Sequence, residues 1–278
     1  MRVFRDRVAV VTGAGSGIGR AVATALAREG AVLALSDVND AGLAETADAA
    51  RTLGARVATD RIDVADRAAV HAYADRVVAA HGGVNLVVNN AGVALAARIA
   101  EMSYEDLEWL FGINFWGVVH GTKAFLPHLK RADEGHIVNV SSVFGIIAVP
   151  GQAAYNAAKF AVRGFTECLR EELELEGAHV SATCVHPGGI KTNIARNARM
   201  GVETLGGPTR AERDAEFDRI ARTTPEAAAE RILGAVRRNA RRVLIGADAY
   251  AIDLLQRLLP TSYQRAVVAV ARRSPIAP

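Results

Sequence analysis

Short runs of Val, Ala, Leu and Ile recur along the chain, and each is followed by a longer stretch with helical spacing closed by Gly or a small polar residue. The runs predict strands over 7–12, 32–36, 57–62, 84–88, 136–140, 180–185 and 243–245, with helices near 17–29, 40–53, 66–80, 103–130, 152–176 and 226–239 between them. Strands that are apolar on nearly every residue and alternate with helices imply a parallel sheet covered on both faces. The expectation is therefore an α/β fold, one doubly wound domain with a seven-stranded parallel sheet flanked by helices. No repeat or low-complexity linker divides it.

Several element ends carry their own signals. Asp40 and Ser103 are the expected N-caps of two helices, and Ser103-x-x-Asp106 has capping-box spacing. Gly30 and Gly54 stand where a left-handed helix stop belongs. Thr224-Pro225-Glu226 reads as an N-cap followed by proline at the first helical position. Residues 190–223 interrupt this rhythm: they have poor periodicity and exceed ordinary connection lengths, which points to a lid held by Ile194, Met200, Leu205 and Phe217. After 248 the chain continues as an extension, 249–278. There Ala251, Leu254, Leu255 and Leu258 fall on one helical stripe before Pro260, and a second segment over 266–271 ends in Arg272-Arg273. The stripe is expected to pack on residues 1–248 or on another subunit, with contact to a membrane surface as the alternative.

Composition narrows the class. The chain has 278 residues, 50% hydrophobic and 23% charged, enough for a large core and unlike a disordered chain. Two cysteines, Cys168 and Cys184, build no disulfide framework; both are expected to be buried, and a cytoplasmic location is the expectation. No apolar stretch reaches the ~18 residues of a membrane span. Net charge is +3, and from Lys191 onward there are 16 Lys and Arg against 9 Asp and Glu. These arginines are scattered among acids with few aromatics, so a solvated surface is the reading and nucleic-acid binding is not expected. His136, His179 and His186 lack zinc-like spacing, so no metal site is expected; His186 is assigned to a pocket wall.

The first strand runs straight into Thr12-Gly13-Ala14-Gly15-Ser16-Gly17-Ile18-Gly19, and an amphipathic helix follows. Glycines there permit a tight turn and close approach of a pyrophosphate to the positive end of the helix. Asp37 stands 18 residues past Gly19, after the second strand, where a carboxylate accepts the hydroxyls of an adenosine ribose and repels a 2′-phosphate. Val38-Asn39-Asp40 offers no arginine to hold such a phosphate. Arg20 is close in sequence but falls within the helix. NAD(H) rather than NADP(H) is the reading.

With these residues the chain resembles the short-chain dehydrogenase/reductase superfamily, in its shorter single-domain branch with Thr-Gly-x-x-x-Gly-x-Gly, over roughly residues 5–250. The resemblance implies a Rossmann-type fold and a cofactor site built from Gly13, Ser16, Gly17, Ile18, Gly19 and Asp37. It adds Asp63 and Val64 at the adenine, the turn Asn90-Ala91-Gly92, and the turn Pro187-Gly188 with Ile190 and Thr192 at the nicotinamide. It further implies a tetrad of Asn114, Ser142, Tyr155 and Lys159. Ser142 lies 13 residues before Tyr155, and Tyr155-Asn156-Ala157-Ala158-Lys159 matches Tyr-x-x-x-Lys. A homo-oligomer, commonly a tetramer, is also implied.

The chemistry agrees with these residue types. Carbonyl reduction needs hydride on carbon, which the cofactor supplies, and a proton on oxygen. Tyr155 and Lys159 are i and i+4 on one helix, so a lysine cation beside the phenol is expected to lower its pKa from about 10. By the family's mechanism Ser142 would hydrogen-bond the substrate oxygen, Tyr155 would exchange the proton, Lys159 would also hold the nicotinamide ribose, and Asn114 would anchor a water. Pocket walls are expected from 93–99, 144–149 and 190–223; Phe144-Gly145-Ile146-Ile147-Ala148-Val149 favours an apolar alcohol or ketone. An NADP-dependent ketoreductase of an acyl substrate and a nucleotide sensor without turnover are the alternatives.

Overall fold

The computed structural model describes residues 1–200 and 209–272. In chain order it contains β1 (Val8–Thr12), α1 (Gly17–Arg28), β2 (Val32–Asp37), α2 (Asp40–Thr52), β3 (Val57–Arg61), α3 (Arg67–His81), β4 (Leu86–Asn89), β5 (Leu95–Ala96) and α4 (Tyr104–Phe111). A π-helical turn over Gly112–Trp116 then leads into α5 (Gly117–Leu129), β6 (Gly135–Val140), a 3₁₀ turn over Val143–Gly145, α6 (Ala153–Leu175) and β7 (Val180–Pro187). The remainder is β8 (Arg199–Met200), α7 (Arg210–Ile220), α8 (Pro225–Arg237), β9 (Arg242–Ile245), α9 (Ala247–Leu258) and α10 (Tyr263–Ala271).

Seven strands form one sheet in the order β3-β2-β1-β4-β6-β7-β9, with every pairing parallel. Alternation along β1 shows how it is buried. Ala9 and Val11 join Leu33, Leu35, Leu86 and Val88 in a core beneath α1 and α8, whereas Val8 and Val10 join Val87, Ile137, Tyr73 and Phe125 in the core beneath α3 and α5. Because β1 continues to β2 on one side and β4 continues to β6 on the other, the connections diverge between β1 and β4. A crevice at the carboxyl ends of the strands is the standard consequence. Among the described residues no helix is long and apolar enough to cross a membrane.

Local signals and structure agree at most ends. Gly30 and Gly54 have φ of 77° and 87°; Ser103 accepts from Asp106 N, and Thr224 caps α8 with Pro225 in its first turn. Asp40 is not the cap of α2: Asn39 is, its side chain accepting the Gly42 N–H, and Asp40 lies in the first turn. The helix expected over 103–130 is interrupted by the π turn, where Gly117 N–H reaches back to Gly112 O. Gly117 also lets that turn approach the neighbouring loop, since a Cβ there would lie 2.6 Å from Val64 Cγ2. Within 190–223, β8 pairs with β5, and α7 has a full capping box between Thr209 and Glu212, a Thr-x-x-Glu signal that poor apolar periodicity obscured. Ile194, Met200 and Phe217 are partly buried; Leu205 lies outside the described residues, as does Arg273. Cys184 is buried but Cys168 is exposed, its thiol paired with Glu172 one helical turn on.

The expected stripe of the extension is split. Leu255 packs with Ile252, Tyr263 and Val267 against Ile146 and Ile147, whereas Leu254 and Leu258 face outward. The face that finds a partner is set by Ile252 and Leu255, a spacing the Leu-rich stripe concealed.

Four buried polar side chains tie the sheet centre to both flanking helices. Asn89 Nδ2 donates to Asn139 Oδ1 (2.8 Å) and Thr122 Oγ1 (3.2 Å), and Asn139 Nδ2 donates to Thr166 Oγ1 (3.0 Å). Gly121 makes room for this set, because a Cβ there would sit 2.1 Å from Asn89 Oδ1. Gly121→Ala is expected to destabilise the fold by about 1–3 kcal/mol, as overpacking of a close contact does, despite alanine's better helix propensity. Urea unfolding measures it, and an unchanged or raised midpoint refutes the close-contact account.

Candidate active site

The crevice is framed by the β1–α1 turn. Gly13 has φ +64°, and a Cβ on it would lie 2.7 Å from Ala91 Cα, so the turn after β1 and the turn after β4 touch backbone to backbone. Thr12 Oγ1 accepts the N–H groups of Asn90 and Ala91 (both 3.1 Å), and Asn90 Nδ2 returns to Thr12 O (3.0 Å) and Gly13 O (3.1 Å). Gly19 packs so closely beneath that a Cβ would meet Gly13 O at 2.1 Å. Gly17, at φ +53°, opens α1, whose N-cap Ser16 is exposed and makes no side-chain hydrogen bond, and no acid occupies the first turn. Ile18 is partly buried behind it. The helix thus presents free N–H groups and the positive end of its dipole, a donor set that fits a pyrophosphate.

Asp37 ends β2 beside this turn. Its Oδ2 accepts Gly15 N–H (2.8 Å) and its Oδ1 accepts Asn39 N–H (2.9 Å), which fixes the carboxylate at the crevice. Arg20 belongs to α1, but its guanidinium reaches Gly15 O (2.6 Å), Gly42 O (3.2 Å) and Glu45 (2.7 Å). Arg61 is paired with Asp40 at 3.5 Å. Asp63 is exposed and accepts from Ala65 N, and Val64 is buried against Gly117. On the far side Pro187 ends β7 and Gly188 follows. Ile190 bridges to Thr223, and Thr192 lies against Gly17, its Cγ2 3.0 Å from where a Cβ would stand. The glycine turn, Asp37, the turn 90–92 and the turn 187–192 are therefore gathered on one crevice.

Ser142, Tyr155 and Lys159 converge next to it. Ser142 caps the 3₁₀ turn, its Oγ accepting Phe144 N–H at 3.1 Å. The Phe144 ring meets the Tyr155 ring edge-on at 6.1 Å, and Lys159 Nζ lies 5.5 Å from the Tyr155 ring centre. Lys159 is buried and donates to Val140 O (2.9 Å), while its own carbonyl accepts Ser141 Oγ (2.7 Å). Burial pushes the Lys159 ammonium down to about 8 and the Tyr155 phenol up to about 12, with a hydrogen bond donated by the Ser142 hydroxyl to the Tyr155 oxygen acting the other way on the phenol. The expected lowering of Tyr155 by Lys159 is not found: burial raises the phenol, and the group that acts against it is Ser142.

Asn114 sits in the π turn, fully buried, with its amide closed on one residue: Oδ1 accepts Val93 N–H and Nδ2 donates to Val93 O, both at 2.8 Å. Its side chain pins the strand that follows the turn 90–92 instead of pointing to solvent. A wide turn re-aims such a residue. His186 is not a pocket wall but a buried strut: its Nδ1 donates to Ser142 O (2.9 Å), which leaves Nε2 buried without a partner. Ile146 and Ile147, expected to line the pocket, are buried toward α9 and α10, so Phe144 is the aromatic that meets Tyr155. Asp248 and Tyr263 were not anticipated; neither has a local sequence signal, because each acts on a distant segment.

A doubly wound parallel sheet with a glycine turn opening a helix, an acid fixed beside that turn and a Ser, Tyr, Lys cluster at one crevice is the arrangement of a dinucleotide-dependent oxidoreductase. Comparison with known proteins narrows this. Residues 7–203 match the short chain dehydrogenase family. The SadH protein of Mycobacterium tuberculosis, named as an oxidoreductase, is 53% identical over 271 residues, covering 97% of this chain and 96% of that protein. Estradiol 17-beta-dehydrogenase 11 of Homo sapiens is 33% identical over 257 residues, covering 92% and 80%. A short-chain dehydrogenase/reductase of Burkholderia phymatum, solved in complex with NAD, superposes with a TM-score of 0.85 at 34% identity and covers 94% of this chain and 96% of that one. The chain belongs to the short-chain dehydrogenase/reductase family and is an NAD(P)-dependent oxidoreductase.

Burial also sets a pH dependence of stability. It lowers His136 to about 3 and His186 to about 4, against an ordinary imidazole near 6.5. Below about pH 6.5 the unfolded chain takes up protons that the folded chain refuses, so stability is full above that pH and falls as pH drops toward 4. The urea midpoint is expected to fall between about pH 7.5 and about pH 4.5, with a shallower slope in His186→Gln. An equal slope in that variant would remove His186 from the account.

Proposed function

We propose that this chain interconverts an alcohol and a ketone or aldehyde with NAD(H), with Tyr155 as the group that gives and takes the proton. The observation that carries the proposal is the convergence of Ser142, Tyr155 and Lys159 beside the glycine turn. Gly13, Ser16, Gly17, Ile18 and Gly19 hold the pyrophosphate, and Asp37 holds the adenosine ribose. Asp63, Val64 and the turn 90–92 border the adenine and the middle of the cofactor; Pro187, Gly188, Ile190 and Thr192 receive the nicotinamide. When bound, the nicotinamide supplies or removes two electrons at the substrate carbon.

The chain's own groups handle the oxygen. Ser142 Oγ, oriented by Phe144 N–H, hydrogen-bonds the substrate oxygen and fixes it against the phenol. Tyr155 donates its proton to that oxygen in reduction and accepts it in oxidation. Lys159, one turn along the same helix, places its buried amine 5.5 Å from the ring centre, where a cation favours phenolate; within the protein alone it is the Ser142 hydrogen bond that acts against the burial of Tyr155. Asn114, locked onto Val93, holds the wall of the crevice in place; its side-chain atoms are both engaged, so a water on the proton path would rest on the backbone of the π turn.

NAD(H) is favoured over NADP(H) by Asp37, whose fixed carboxylate repels a 2′-phosphate, and by Arg20, whose guanidinium is already held by Glu45 and two carbonyls. An apolar substrate is favoured by Phe144 beside Tyr155 and by the partly buried Val93, which packs against the same apolar cluster as Tyr155. The steroid alcohol in the name of the human relative has the same character.

The deciding experiment follows absorbance at 340 nm with NADH and NADPH separately, against ketones of increasing chain length. Tyr155→Phe is expected to lower kcat by about 10²–10⁴, the usual weight of a positioned acid/base, with NADH affinity kept. A variant that turns over at the wild-type rate rejects Tyr155 as the proton donor. Asp37→Ser is expected to narrow the preference for NADH over NADPH by about tenfold or more, the loss of one repulsive contact. A wild-type preference for NADPH overturns the reading of Asp37, and tight NADH binding without turnover of any ketone favours a nucleotide sensor.

A further inference from the structure

The C-terminal helices touch the crevice at two points that no local feature announces. Tyr263, at the start of α10, is 6% exposed, and its Oη accepts the N–H of Ala148 at 3.3 Å. Around it Ile252, Leu255 and Val267 pack on Ile146 and Ile147, which belong to the loop that begins at Ser142 and Phe144. Asp248, in the first turn of α9, accepts the N–H of Gly189 on Oδ2 at 2.6 Å. The carboxylate lies so close to the turn after β7 that a Cβ on Gly188 would be 2.1 Å from it. One short stretch of chain is thus fastened to the loop behind Ser142 and to the turn that closes the nicotinamide side.

We propose that α9 and α10 form a brace for the active site, in which Tyr263 is a positioning residue for the substrate-side loop 142–149 and Asp248 is a positioning residue for the cofactor-side turn 187–190. This rests on the oxidoreductase reading above. The loop is also tied at its two ends, where His186 Nδ1 donates to Ser142 O and Asn156 Nδ2 donates to Val149 O, both at 2.9 Å, so the stretch between them is the part the extension holds. Ala148 is exposed, and Ile146 and Ile147, the two side chains that anchor the loop, are buried against the extension itself. A loop held at one end by the 3₁₀ turn and in the middle by Tyr263 keeps Phe144 against Tyr155; released in the middle, it widens the space beside the phenol. A placement error of about 1 Å at a reacting centre is enough to be felt in turnover. Asp248 acts on the other wall. Its negative charge also sits at the N-terminus of α9, where it favours the helix that carries Leu255.

The two contacts make separable predictions. Tyr263→Phe keeps the ring and removes only the acceptor. In hydrogen-exchange mass spectrometry the peptide spanning 143–152 is expected to exchange about fivefold faster, the weight of one ordinary hydrogen bond, with the rest of the sheet unchanged. In the same variant KM for ketones should rise several-fold, most for the longest chain, while the NADH dissociation constant, read by protein fluorescence, stays at the wild-type value. Asp248→Ala should do the reverse, weakening NADH binding several-fold and leaving the order of ketone KM values intact. Circular dichroism and the urea midpoint establish that each variant is folded, and Tyr263→Phe retains the packing if Asp248→Ala proves too unstable to assay.

Unchanged exchange in Tyr263→Phe overturns the brace, and so does faster exchange with an unchanged KM profile. Failure of the oxidoreductase reading looks different. Wild-type protein would then turn over no ketone and Tyr155→Phe would be silent, while the exchange and NADH-binding measurements would still decide whether the two contacts act as described.

Discussion

The site depends on one junction, where the turns after β1 and β4 are sewn together. The Thr12 hydroxyl takes two amides of the β4 turn, and the Asn90 amide gives two hydrogen bonds back to the β1 turn. The contact is so close that only glycine fits at position 13. β1 and β4 pair directly in the sheet, Ala9, Val10 and Val11 against Leu86, Val87 and Val88, and the chain leaves them in opposite directions, so the crevice opens above this pair. That small polar knot holds the free N-terminus of α1 at the crevice, and with it the seat for an anion. Asp37 completes the edge by taking a hydrogen bond from Gly15, so the acid and the turn are held as a unit.

Behind the crevice lies a second polar layer, unusual in strands otherwise built of Val, Ala, Leu and Ile. Asn89, Asn139, Thr122 and Thr166 hydrogen-bond one another across β4, β6, α5 and α6. The face of α6 that carries Tyr155 and Lys159 continues to Thr166, so these two side chains and the buried network share one rigid element. Lys159 itself is closed off by Val140 O, and its backbone is held by Ser141. Buried polar groups that are fully paired give a unique arrangement, whereas the same groups unpaired are costly. The exceptions in this layer are Asn89 Oδ1 and His186 Nε2, both buried without a partner, although Asn89 donates through Nδ2 and His186 donates through Nδ1 to the backbone of Ser142.

The remaining walls come from elsewhere in the chain. The segment after β7 returns to the crevice as β8, pairing with β5, and Arg199 stacks on Trp109 at 3.7 Å while reaching Asp106 at 3.1 Å. The segment is therefore fastened to α4 instead of hanging free. The helices after β9 fasten the loop behind Ser142. Wall shape in this protein is set by connections and extensions laid against the sheet and glycine turn, which is how a scaffold of this kind accommodates different substrates.

The sequence by itself determined the seven strands of the main sheet, most helices, the glycine turn with Asp37 and the spacing of Tyr155 and Lys159. Those signals are local: apolar runs, glycine at positive φ, an Asx or Thr cap, Tyr and Lys one turn apart. The other crevice residues were named by resemblance to a family, and the short strands β5 and β8 gave no signal. Where a competing local signal was present, the reading slipped by a residue, as with Asp40 and Asn39, or missed an element, as with α7. Tertiary structure decided what the local pattern cannot encode. It turned the amide of Asn114 onto Val93 through a π turn, engaged Arg20 with Glu45, and buried Ile146 and Ile147 away from the pocket. It also joined Gly189 to Asp248 across 59 positions and Ala148 to Tyr263 across 115. Such pairs carry no spacing rule, because their distance is fixed only when every element between them has packed.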